Sequence, residues 1–220
     1  MKYPALAADY RNFRFQKINE PQYRHLWLLL IWPAYLLRYF LVEQLNPAES
    51  YTVIHCPLDD MIPFHEGFVV FYVLWYLAIV GMHLYTMLFD LDVFRRYSKF
   101  LIISLTISTA VFLLFPSCQE LRPAEFPRDN LLAGIVGALY AVDTNTNVFP
   151  SEHAIGALAV LAAAINTKSL RSPVKIAAFV LLTVLISLST VFLKQHSILD
   201  VLAALPICAV AYGVCYGRRE

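Results

Sequence analysis

Two short polar stretches carry the residue types that acid–base and nucleophilic chemistry needs. The first is Asn147-Val148-Phe149-Pro150-Ser151-Glu152-His153, a turn ending in Pro-Ser-x-His that runs straight into the apolar segment Ala154–Ile165. The second is Lys194-Gln195-His196-Ser197-Ile198-Leu199-Asp200, again at a junction between two apolar segments. His196 and Asp200 are four apart. If a helix has begun by His196 they share a face, and the carboxylate accepts a hydrogen bond from the ring. Such a partner fixes the tautomer and favours the imidazolium. Ser151 and His153 stand where a helix starts, so their side chains and free backbone N–H groups meet at a natural anion site. Arg122, fixed beside Pro123, and Lys194 add two cations at the same surface. Two histidines, two cations, a hydroxyl and a helix N-terminus suit a phosphate or phosphoryl group.

Taken singly, these residues have plainer readings. A histidine at a helix end is an interfacial polar residue, and Arg122 and Lys194 serve as headgroup anchors. An aspartate inside an apolar helix is harder to set aside, because ionisable groups are costly there. His55, Asp59, Asp60, His65 and Glu66 fit no metal-ligand spacing and read as solvated loop residues, and no cofactor or metal is expected. His83 is expected to pack or pair within the bundle.

The elements that must position these groups are apolar. The 220 residues are 59% hydrophobic and only 15% charged, which reads as an integral membrane protein. A formal net charge of +1, with no basic stripe, argues against nucleic acid as a partner. After a polar lead-in over 1–24 without a signal-peptide h-region, a membrane domain over 25–217 contains six predicted spans. They are Leu26–Val42, Gly67–Leu88, Phe100–Phe115, Ser151–Ile165, Ile176–Leu193 and Ile198–Tyr216. Between the third and fourth lies Leu131–Val142, which at 1.5 Å per residue reaches about 18 Å, short of a hydrocarbon core about 30 Å thick. It is predicted to be interfacial or re-entrant. If it spanned, Arg122 and His153 would lie on opposite faces.

Six spans place the N-terminus, the loops 89–99 and 166–173 and the C-terminus on one side. That side and its flanks hold Lys2, Arg11, Arg14, Lys17, Arg24, Arg95, Arg96, Lys99, Lys168, Arg171, Lys175, Arg218 and Arg219, or 13 of the 17 Lys plus Arg. The positive-inside rule then sets both termini in the cytoplasm. The loops 43–66, 116–150 and 194–197 face outward with both polar clusters. Arg38 is close enough to a span end to snorkel. Cys208 and Cys215 read as small buried thiols, and Cys56 and Cys118 share the outward side, where a disulfide between them is open.

At these residues the sequence resembles the type 2 phosphatidic acid phosphatase (PAP2) superfamily, whose pattern is K-x6-R-P, then P-S-x-H, then S-R-x5-H-x3-D. Arg122-Pro123 matches the end of the first block, Pro150-Ser151-x-His153 the second, and Ser189 with His196-x3-Asp200 most of the third. The likeness covers about 115–206. Phe115 stands at the Lys position and Thr190 at the third-block Arg position, with Lys194 two residues before the histidine; Glu152 fills the variable place between Ser and His.

The resemblance implies an all-α, six-helix membrane fold and a metal-independent lipid phosphate phosphatase. His196 would be the nucleophile, oriented by Asp200, and His153 the general acid and base. Arg122, Lys194 and Ser151 would hold the equatorial oxygens, with Gln119 as a neutral phosphate ligand. The substrate class would be a lipid phosphomonoester or pyrophosphate, and the setting a bacterial inner membrane. A lipid phosphotransferase using an alcohol acceptor stays open, as does a non-catalytic transporter or scaffold built on the same His and Asp.

Overall fold

The computed structural model describes residues 6–45 and 48–217; Lys2, Arg218 and Arg219 of the charge argument lie outside these. Helices follow one another in the order α1 (Ile31–Phe40), α2 (Pro57–Met61), α3 (Val69–Phe89), α4 (Leu91–Leu114), α5 (Leu131–Val142), α6 (Glu152–Asn166), α7 (Pro173–Phe192) and α8 (Ile198–Tyr216). The short strands β1 (Thr52–Val53) and β2 (Ser117–Cys118) pair in parallel. The fold is all-α, as expected from the apolar runs.

Five helical stretches are long and apolar enough to cross a membrane, as fits an integral membrane protein: Arg24–Glu43, Glu66–Phe89, Leu91–Leu114, Pro173–Phe192 and Ile198–Tyr216. The sixth predicted span is α6, whose 15 residues reach about 22 Å. It is the hub of the bundle, packing on α3, α4, α7 and α8. Gly156 and the alanines 154, 157, 159, 162, 163 and 164 are buried along it. Small residues let neighbouring backbones come close, which is how membrane helices gain packing energy without a hydrophobic drive.

The first stretch is composite. A 3-10 run over Arg24–Leu30 passes into α1 and ends in a wide turn over Leu41–Leu45. Pro33 has no N–H to give to the preceding turn, so the change of winding falls where its absence costs least. Its residues 6–23 are no loose lead-in. Ala7 N–H donates to Leu88 O at 2.7 Å, Tyr10 bonds both Met87 O and the His25 ring, and Tyr23 is buried.

One boundary differs from expectation. The predicted loop 89–99 is helical from Leu91 onward, because Asp90 caps the Val93 N–H and the pair Asp92–Arg96, one turn apart at 3.1 Å, supports the first turns. Charge there marks a helix running past the apolar stretch, not a break in it. His83 pairs inside the bundle, with Nε2 3.1 Å from Ser98 Oγ.

The three loops expected on one side do meet. Thr52 N–H donates to Pro116 O, Gln119 N–H to Asn145 O, and Lys194 Nζ to Asp59 O. Both ends of α5 bond to that same end of the bundle: Asn130 to Glu66 beside α3, and Tyr140 OH to Leu193 O beyond α7. All four cysteines are free thiols, Cys56 and Cys118 included.

Candidate active site

Helix α8 starts with a capping box. Ser197 Oγ accepts from the first turn, and Asp200 folds back so that its Oδ2 accepts from Ser197 N–H at 2.9 Å. The same Oδ2 lies 3.1 Å from His196 Nδ1. The helix begins at Ile198 and not at His196, so the pair forms because the cap brings the carboxylate back over the preceding turn, and not because both residues sit on one helical face. A carboxylate can only accept here, so Nδ1 carries the proton and Nε2 keeps its lone pair.

His153 comes to the same place on α6, whose N-cap is Ser151; Ser151 Oγ accepts from Ala154 N–H, and Ser151 N–H donates to Asp200 O at 3.0 Å. The last bond ties the starts of α6 and α8 together. The two imidazole centroids lie 5.8 Å apart, and His153 packs against the rings of Tyr72 (4.3 Å) and Trp75 (4.6 Å). His153 is 9% exposed, and its Nε2 has no partner among the described residues. A buried ring nitrogen left without a partner needs a reason, and a reacting group provides one.

Both histidines line a small cleft of ≈ 60 Å³, together with Arg38, Glu43, Asp143, Glu152 and Gln195. That volume has room for about four waters, which suits a phosphoryl group. Its carboxylates are all engaged. Glu43 accepts from Thr144, Thr146 and Asn147; Asp143 from Tyr72 and Gln195; Glu152 from Ser108 at 3.0 Å and from Arg38 at 2.6 Å.

The structure therefore brings His153, His196 and Asp200 together, and sets the four expected phosphate ligands behind the wall. Arg122 gives its guanidinium to Tyr140 O, Asp143 O, Thr144 O and Gln195 Oε1, and lies over the Tyr140 ring. It does not line the cleft itself and touches it only through the wall residues Asp143, Thr144 and Gln195. Lys194 is buried with Nζ on Asp59 O at 2.7 Å, and desolvation holds its ammonium below the usual lysine range. Its φ of 55° closes α7 in the left-handed region that a glycine would normally take. Ser151 is fully buried in its capping role, and Gln119 is buried with Oε1 on Leu121 N–H. Arg38, expected only to snorkel, is the sole Lys or Arg on the cleft wall among the described residues. No motif marked it, since its partner Glu152 is 114 positions away.

Two loop carboxylates also depart from the solvated reading. Glu66 is buried and holds Arg128 and Asn130, while His55 and Asp60 do form an exposed pair. Asp59 is fully buried and accepts from Ser197 Oγ (2.6 Å), Cys56 N–H (2.8 Å) and Ile198 N–H (2.9 Å). It pins the turn that carries His196. Burial alone pushes this carboxyl up, but the donors outweigh it and hold its pKa below the usual range. A depressed folded pKa contributes stability that is whole above the unfolded value, near 4, and lost as pH falls through the folded one. Asp59→Asn also turns an acceptor into a donor facing Cys56 N–H. It is expected to cost about 2–3 kcal/mol at pH 7, and to flatten the acid limb below about pH 5. Thermal unfolding of the detergent-solubilised protein at stepped pH reads both.

Trp75 depends on a glycine. A Cβ on Gly156 would lie 2.5 Å from its Nε1 and 2.9 Å from two ring carbons. A rigid buried indole has to move, and His153 leans on it. Gly156→Ala is expected to cost about 1–3 kcal/mol by overpacking and to lower any activity that uses the His153 ring about tenfold by displacing it.

A family model described as PAP2 superfamily matches residues 99–219, which hold both histidines and Asp200 but not Arg38, Glu43, Asp59 or α3. No curated protein and no solved structure matches the chain.

Proposed function

The chain belongs to the PAP2 superfamily, whose members carry phosphatase or phosphotransferase activity on phosphate esters, and from this premise we propose a membrane enzyme that hydrolyses a lipid phosphate through a phosphohistidine. The observation that carries the reading is one pair of rings: His196, tautomer fixed by Asp200, facing His153 across 5.8 Å at a phosphoryl-sized cleft.

In the first step the Nε2 lone pair of His196 attacks phosphorus, and the bond from phosphorus to the leaving oxygen breaks. His153, as imidazolium, gives its proton to that oxygen, releasing the lipid alcohol or the shorter phosphate. In the second step neutral His153 takes a proton from water, the hydroxide attacks phosphorus, and the N–P bond breaks. Inorganic phosphate leaves, and both histidines return to their starting states. Asp200 keeps Nδ1 protonated throughout and offsets the positive charge of the phosphorylated ring. No step draws on a metal.

The test is phosphate release by detergent-purified protein in EDTA. The panel is phosphatidic acid, a polyprenyl pyrophosphate and a lyso-lipid phosphate, with and without added alcohols. Free phosphate from a lipid supports hydrolysis. A new phospho-headgroup lipid with little free phosphate would replace hydrolysis by transfer to the alcohol, and full inertness of folded protein on the whole panel would overturn both. In the membrane, we place the two termini in the cytoplasm of a bacterial cell, α5 at the interface and the cleft outward. Asn147→Cys should then react with a membrane-impermeant maleimide on intact spheroplasts; labelling only after lysis would reverse the orientation.

A further inference from the structure

A second cavity, ≈ 350 Å³, runs between the first membrane stretch and α4 and is walled by Trp27, Ile31, Ala34, Ile102 and Leu105. Tyr35 and Arg38 line both this groove and the catalytic cleft, so the two spaces meet at one guanidinium. No residue of α1 is buried, and only 6% of the most apolar window of Arg24–Glu43 is. That helix stands off the bundle along the groove and is drawn in at its far end by the Arg38–Glu152 pair at 2.6 Å and the Arg38–Thr109 bond at 3.3 Å. From Trp27 to Arg38 the groove runs roughly 17 Å. One leaflet of a bilayer core about 30 Å thick has nearly that depth.

The polar end is built for an anion. Arg38 sits over the rings of Tyr35 (4.8 Å) and Phe112 (5.9 Å), and its buried Nε has no partner among the described residues. Its other donors hold one carboxylate oxygen and one hydroxyl, contacts that a phosphate oxygen can replace. Glu152 keeps Ser108 when Arg38 turns away from it.

We propose that the α1–α4 groove is the hydrocarbon subsite for a single long-chain lipid phosphate, and that Arg38 at its head is the cation that binds the phosphate, releasing Glu152 as it does so. This assignment rests on the lipid phosphate reading above and extends it to a part of the chain outside residues 99–219. The occupant is a lipid chain because the groove is apolar, open on a barely packed helix, one leaflet deep and continuous with the reacting cleft. Arg38 is placed to supply the charge that Phe115 and Thr190 do not carry.

The first experiment is photolabelling of the detergent-purified full chain with a hexadecyl phosphate bearing a mid-chain diazirine. Label is expected in peptides spanning Trp27–Tyr35 and Ile102–Thr109, and competition by unmodified hexadecyl phosphate should remove it. Label spread over the outer faces of α7 and α8 would overturn the groove, whatever the turnover. Label in the groove of a protein that releases no phosphate would leave the subsite standing and sink the hydrolase. Ala34→Phe, which fills the groove, is expected to lower the ratio of hexadecyl to butyl phosphate kcat/KM at least tenfold; an unchanged ratio counts against the subsite. For Arg38, the double variant Arg38→Met/Glu152→Gln removes the pair without leaving a bare charge. It is expected to keep its unfolding temperature within a few degrees yet raise KM for hexadecyl phosphate about 30-fold. An unchanged KM would reduce Arg38 to a strut.

Discussion

His196→Ala is expected to lower phosphate release from a lipid phosphomonoester by at least about 10⁴-fold, or about 5.4 kcal/mol of barrier. The side chain removed is the cleft residue whose tautomer Asp200 fixes with a lone pair on Nε2, while Glu43 and Glu152 have both oxygens taken by neighbouring donors and Asp143 Oδ2 accepts from Tyr72 and Gln195. The fold should survive the change. Asp200 Oδ2 still caps Ser197 N–H, and Asp59 still holds Ser197 and Ile198, so the turn keeps its anchors without the ring. Rapid acid-free quenching of the wild type with radiolabelled substrate is expected to trap an alkali-stable, acid-labile phosphoryl group, as a phosphoramidate bond requires, and the variant should trap none. Activity within tenfold of the wild type, with no trapped group, would mean direct attack by water and the loss of the covalent route. Asp200→Asn lies between these limits: it can still accept from Ser197 N–H, but it no longer fixes which ring nitrogen of His196 carries the proton.

The sequence was most readable where chemistry is local. Pro150-Ser151-x-His153 and His196-x3-Asp200 gave both histidines and the carboxylate, because the caps of α6 and α8 are written within four residues of the groups they position. Helix α5 was legible to the residue, since Asn130 caps it and Asp143 ends it. The first turns of α4 were not, because Arg95 and Arg96 look like a loop until Asp90 is seen capping them and Asp92 pairing with one. Burial of charge was hardest to foresee. Asp59 reads as one of several loop acids, and only the folded chain shows it 138 positions away from its partner Ser197. The positions of the cations were hidden for the same reason. Arg122 and Lys194 stand beside the motif but donate to carbonyls and to the Gln195 side chain, while Arg38, remote in sequence, lines the cleft with the histidines. A motif records which residues are near in the chain; it does not record which donors remain free after folding.

His153→Gln should separate the two halves of the reaction. Glutamine approximates the imidazole in size and can bond an oxygen, but it neither gives nor takes a proton, so both the departure of the lipid alkoxide and the activation of water lose their catalyst. Turnover of a lipid phosphomonoester is expected to fall about 10³-fold, in the range for a lost general acid and base. With p-nitrophenyl phosphate the first step needs little help, because the phenolate leaves without a proton. The variant should then release one equivalent of p-nitrophenol per protein in a burst and stall, with the phosphoryl group held on His196, whose ring centroid lies 5.8 Å from that of the missing imidazole. Added imidazole, small enough for the space beside Tyr72 and Trp75, is expected to rescue the smaller variant His153→Gly and speed release of the trapped group. A slow steady rate with no burst would instead make His153 a spacer for the substrate, its unpartnered Nε2 holding a phosphate oxygen, and would move the proton transfers to water. A burst with rescue fixes the order of events at the cleft: attack by His196 first, then a hydrolysis that waits on His153.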